Sequence, residues 1–128
     1  MKPSIPHPDL TPQKVVELQL EALRRNDDPS PDSGIATAFG FASPANRRAT
    51  GPVARFAQML KNPMYRPMLG LSSAQFGPIQ VEDGVARTQV VLFGGDGRMV
   101  AYDFTLSLDP STRCWMTDSV MLAPVEVA

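Results

Sequence analysis

The chain has 128 residues, which fits one domain able to bury roughly two-thirds of its unfolded surface in a single core. Hydrophobic residues make up 43%, charged residues 20%, and the net charge is -1, so nothing in the electrostatic balance points to nucleic acid. No apolar run approaches the about 20 residues that a membrane span needs, which excludes a helical membrane anchor within the sequence.

Residues 1–10 hold three prolines and the only histidine, His7, and predict an extended arm ahead of a single domain over 11–128. The arm lacks the apolar core of a signal peptide. Thr11 followed by Pro12 supplies an N-cap and a proline at the first helical position. Val15, Val16, Leu18, Leu20, Ala22 and Leu23 then recur at helical spacing, predicting a helix to about Asn26. Lys14, Glu17, Glu21, Arg24 and Arg25 project to the opposite side. Gln19 and Asn26 fall inside the apolar arc, where an amide needs a partner because leaving it unpaired costs on the order of 1 to 3 kcal/mol. They are structural clamps or pocket-lining groups.

Asp28 to Gly34 breaks the chain, and residues 35–41 then predict one or two helical turns that Pro44 stops. Thr50, Gly51 and Pro52 mark the next helix start, with Val53, Phe56, Ala57 and Leu60 on one face and Asn62-Pro63 at its end. A short turn with Tyr65 and Met68 follows.

The texture then changes to strands. A proline-interrupted strand, either an edge or a bulged one, spans about 73–82, Asp83-Gly84 signals a hairpin, and a second strand covers Val85 to Phe93 with neither face purely apolar. In the third strand Val100, Tyr102, Phe104, Leu106 and Leu108 share one face, the predicted core side. The fourth runs from Arg113 to about Leu122, setting Trp115, Thr117, Ser119 and Met121 against Cys114, Met116, Asp118, Val120 and Leu122. Cys114, the single cysteine, excludes an internal disulfide and suits a reducing, cytoplasmic setting. Helices followed by a meander of about four antiparallel strands predict an α+β layout.

Several stretches carry a resemblance: Val15 to Asp27, Gly34 to Phe39, Phe41 to Asn46, Thr50 to Phe56 and Trp115 to Val120. On these, the chain resembles an uncharacterised conserved-domain family, a domain of unknown function, within the nuclear transport factor two-like, or SnoaL-like, superfamily. That resemblance implies a cystatin-like cone of helices against a strongly curved sheet, a homodimer through the outer sheet face, and occurrence in photosynthetic organisms. It does not imply one activity, because ketosteroid isomerases, scytalone dehydratases, polyketide cyclases and non-enzymatic transport modules share the fold.

Dehydratases and cyclases of this fold use a pocket histidine with a carboxylate, and this chain offers only His7 in its arm. The same scarcity excludes a histidine-based metal site or a cysteine zinc cluster. An isomerase site needs a carboxylate base and an oxyanion holder, for which Asp103, Asp118, Tyr65 and Tyr102 are available. Gln19, Asn26, Gln89 and Tyr102 form either a hydrogen-bond network fixing helix to sheet or a pocket lining; Tyr65 and Trp115 are further pocket candidates. Arg87 shares a strand face with Gln89 and would meet an anionic ligand if that face is concave. The resulting expectation is a cofactor-free, non-catalytic module that binds a small apolar or weakly anionic ligand or a partner protein, without nucleic acid or membrane. The alternative is a small isomerase or hydratase acting on a hydrophobic molecule.

Overall fold

A computed structural model of the protein describes residues 4–124. Four helices come first: α1 (Pro12–Arg24), α2 (Ser33–Gly40), α3 (Pro44–Thr50) and α4 (Val53–Leu60). A 3-10 turn, Arg66–Met68, leads into β1 (Ser73–Phe76), β2 (Gln80–Glu82), β3 (Val85–Phe93), β4 (Met99–Leu108) and β5 (Trp115–Ala123). The strands form one antiparallel sheet in the order β1, β3, β4, β5, with β2 also paired to β3. The molecule is therefore α+β, with helices packed on one sheet face.

Among the described residues there are five strands rather than about four because Gly77-Pro78 divides the predicted 73–82 strand. Both halves pair with β3, β1 along Val90 to Phe93 and β2 along Val85 to Arg87, since proline removes the donor that a continuous ladder would require. Between them Gly77 N donates to Gln89 O at 2.9 Å. At the β2–β3 hairpin Asp83 and Gly84 have φ of 52° and 74°, the left-handed pair that two-residue hairpins demand.

The N-terminus of α1 forms as its residues require: Thr11 Oγ1 accepts from Lys14 N at 3.1 Å ahead of Pro12. The helix ends at Arg24, not Asn26. Asn26 closes the turn instead, its Oδ1 accepting from Ile35 N at 2.8 Å and its Nδ2 donating to Asp32 Oδ1 at 2.9 Å. The Lys61 ammonium, 2.7 Å from Asp32, and then the Asn26 amide hold that carboxyl below the usual carboxylate range. Gly34 brings α2 against α1; a Cβ there would overlap Ala22 O and lie 2.7 Å from Asn26 Cα.

Pro44 opens a helix rather than ending one. Ser43 Oγ accepts from Asn46 N at 3.2 Å and Pro44 stands at the first turn, repeating the Thr11-Pro12 start of α1. Thr50 belongs to the end of this α3, where its hydroxyl donates to Asn46 O at 2.8 Å, and Pro52 precedes α4. The core joins Val15, Val16, Leu20 and Leu23 of α1, Ile35 and Ala38 of α2, and Phe56 and Leu60 of α4 to the inner sheet face. That face carries Ala86, Val90 and Leu92 of β3 and Tyr102, Phe104 and Leu106 of β4. Leu10 also packs against it, and Leu10 N donates to His7 O, so this part of the predicted arm forms a turn; its residues 1–3 lie outside the described residues.

The strict alternation predicted for the last strand breaks. Thr117 lies opposite Leu106, whereas Ser119 lies opposite Thr105, so Asp118 is an extra residue in a bulge. Trp115 and Thr117 stand on the core side before it, and Val120 and Leu122 after it, opposite Phe104 and Tyr102.

Candidate functional site

A cavity of about 190 Å³ lies among α1, α2, α3, α4, the 3-10 region and β5. Leu20, Leu23, Ala38, Phe56, Met59, Leu60, Met68, Phe104, Val120 and Met121 are its apolar lining residues, and Gln19, Asn46, Thr50, Tyr65, Asp118 and Ser119 its polar ones. Among the described residues no lysine, arginine or histidine lines it, and Asp118 is the one formal charge there.

Gln19 ties the floor together. It is 7% exposed; its Nε2 donates to Ala38 O at 3.1 Å, and its Oε1 accepts from Thr117 Oγ1 at 2.6 Å. Thr117 in turn holds the segment before α3, its carbonyl accepting from Ser43 N at 2.8 Å and Asn46 Nδ2 at 3.0 Å. This chain of bonds joins α1, α2, α3 and β5 behind the cavity, and every buried side-chain N or O among the described residues has a partner. Gln19 is thus both a clamp and a lining residue.

Tyr65 lines the cavity while its hydroxyl donates to Val120 O at 2.9 Å across to β5. Tyr102 lies beneath it, fully buried, with ring centroids 6.1 Å apart and its hydroxyl donating to Met64 O at 2.7 Å. Burial pushes the Tyr102 phenol up to about 12 from 10.0. Below pH 10 both folded and unfolded forms hold the proton; between pH 10 and about 12 the unfolded chain releases it first, and stability falls as pH rises. Denaturant midpoints across that window are expected to show the wild type losing on the order of 2 kcal/mol more than Tyr102→Phe. Parallel losses in the two proteins would show that Tyr102 ionises freely in the folded state.

The remaining predicted residues lie elsewhere. Arg87 and Gln89 are exposed on the outer sheet face, where Gln89 Nε2 donates to Asp103 Oδ1 at 3.1 Å. The helices cover the opposite face of β3, so the cation that an anionic ligand would meet is not at the cavity. Asn26 caps the α1–α2 turn, and Trp115 packs against the core beyond the cavity wall. Asn46, Thr50, Phe56 and Leu60 complete the cavity without having been predicted as lining residues, and Asp118, weighed only as the carboxylate of an isomerase site, joins them. Only Ser43-Pro44, read as a helix start, would have pointed to the α3 contribution.

A family model described as "Domain of unknown function (DUF4864)" matches residues 7–128. The chain belongs to that family. No curated protein and no solved structure matches it. Among the described residues of this DUF4864 domain, no group of three or more His, Cys, Asp and Glu side chains is placed to hold a metal ion. Among the same residues, no helix is long and apolar enough to cross a membrane.

Proposed function

We propose that this DUF4864 domain is a non-catalytic binding module of the nuclear transport factor two-like type, working in the cytoplasm and holding a small apolar molecule in the cavity beside β5. The observation that carries this reading is the lining: ten apolar residues from helices and sheet border a space of about 190 Å³. A dry cavity of about 150 Å³ suffices for benzene, so one ring with a short substituent fits. Both tyrosine hydroxyls are committed to backbone carbonyls, which leaves the oxyanion-holding half of an isomerase site without its tyrosine donor. Toluene at millimolar concentration is expected to raise the melting temperature of the wild type and to leave Met59→Trp, with its cavity filled, unmoved. No toluene response in the wild type, or an equal one in both proteins, would remove the binding role.

The outer sheet face supports a second copy of the chain as partner. Phe93, Met99 and Met121 stand 50%, 46% and 59% exposed there, and Phe93 and Met99 are directly cross-strand. Half-buried Val91 lies in register between them, opposite the buried Ala101. The same face carries Arg87 together with Asp103 and Glu82, charges of both signs, so two copies related by a two-fold axis need not meet like charge on like. Light scattering at about 100 μM, a concentration that populates interfaces of modest affinity, is expected to give twice the chain mass, and Phe93→Lys the chain mass. A monomeric wild type would overturn the pairing.

A further inference from the structure

The cavity's polar groups differ in what they have left to offer a ligand. The Thr50 hydroxyl proton goes to Asn46 O, at 2.8 Å, and the Tyr65 hydroxyl proton to Val120 O, at 2.9 Å. Gln19 Nε2 and Asn46 Nδ2 each already donate to a backbone carbonyl, of Ala38 and Thr117 respectively. The acceptors are less committed. The Asp118 carboxylate lies outside the ion pairs among the described residues, which join Glu21, Asp32, Asp96 and Asp9 to their partners. Asn46 Oδ1 has only a 3.4 Å contact from the Thr50 hydroxyl. The β5 bulge is what brings Asp118 here, since it interrupts the alternation between Thr117 and Ser119.

An apolar chamber whose Thr50 and Tyr65 hydroxyl protons are committed, and whose one formal charge among the described residues is a carboxylate outside every ion pair there, selects a ligand with a positive, hydrogen-donating head. We propose that the cavity takes a protonated amine on a single ring or a similarly compact apolar body, with the ammonium on Asp118 and the ring among Phe56, Met59, Leu60 and Val120. The proposal rests on the cavity being a binding site, and it adds the sign and hydrogen-bonding character of what is bound. Asp118 is half-buried, so the head stays at the wetter side of the cavity while the body is desolvated.

Benzylamine, benzyl alcohol and benzoate share one ring and differ in head group. Titrated by protein-observed NMR at pH 7, benzylamine is expected to bind the wild type at least about tenfold more tightly than either of the others, as suits a charge-assisted bond. In Asp118→Asn the three are expected to converge, while toluene still binds because the apolar walls are intact. Benzoate or the alcohol binding the wild type as well as the amine would overturn the head-group assignment and leave the cavity's binding role standing. An amine preference that persists in Asp118→Asn would overturn Asp118 as its origin. Failure of toluene as well as all three would remove the binding role itself. If Asp118→Asn does not fold, raising the salt from about 20 mM to about 500 mM replaces it: a preference due to the carboxylate narrows as charge is screened, and an unchanged one overturns it.

Discussion

Gly34→Ala is expected to lower stability by about 3 kcal/mol or more, the upper end for forcing atoms into a packed site. The reason is local: the added Cβ overlaps Ala22 O and lies 2.7 Å from Asn26 Cα, and both neighbours are backbone. Flexible side chains can rotate away from an intruding methyl, whereas backbone moves only if α1 and α2 part. Parting them breaks the Gly34 N to Asn26 O bond of 2.9 Å and the Asn26 cap on Ile35. Gly40→Ala is the internal control, because a Cβ at that end of α2 meets nothing within 4 Å. It is expected to leave stability unchanged or raise it by up to about 1 kcal/mol through the unfolded chain. Urea midpoints for the two variants check both, and a Gly34→Ala midpoint equal to the wild type would show that the helices separate without cost.

Gln19→Leu is expected to cost about 2 kcal/mol although leucine suits a buried helical position. The substitution leaves the Thr117 hydroxyl without its 2.6 Å acceptor and the Ala38 carbonyl with only its bond from Phe41 N. Thr117→Val in the same chain removes the stranded hydroxyl, so the double variant should be less destabilised than the two single losses summed. A coupling of about 1 kcal/mol or more in a cycle of chemical denaturations is the expected reading. Additive losses would mean that the two side chains act independently. Because Gln19 also lines the cavity, a toluene response measured on the same variants separates its effect on the fold from its effect on binding.

Much of the architecture was legible where local chemistry has one solution. Thr11-Pro12 starts α1, Asp83-Gly84 turns the hairpin, and the even-numbered apolar residues of β4 face the core, as their spacing predicts. Where two local solutions compete, the prediction and the structure part. Pro44 is equally a helix stop for the residues before it and a first-turn residue for those after it, and the Ser43 cap decides for the second. Thr50 is as good an N-cap as a C-terminal hydroxyl, and its bond to Asn46 O decides that too.

The candidate site was less legible. Gln19 and Tyr65 are among its lining, but Arg87 and Gln89 are not, since both faces of β3 carry apolar residues and alternation alone cannot choose between them. Asp118 reaches the cavity only because a bulge shifts the register of β5 against β4, and a bulge is a property of two strands together.

By itself, then, the sequence determined the order and type of most elements, the apolar stripe of α1 and the buried face of β4, because caps, turns and periodicity act within a few residues. Tertiary structure alone decided which face of β3 the helices cover, where Asp118 places its charge, and which hydroxyls are spent on carbonyls. Those outcomes depend on partners far away in the chain, as Thr117 does on Gln19 and Val120 on Tyr65, and no local pattern encodes a partner at that distance.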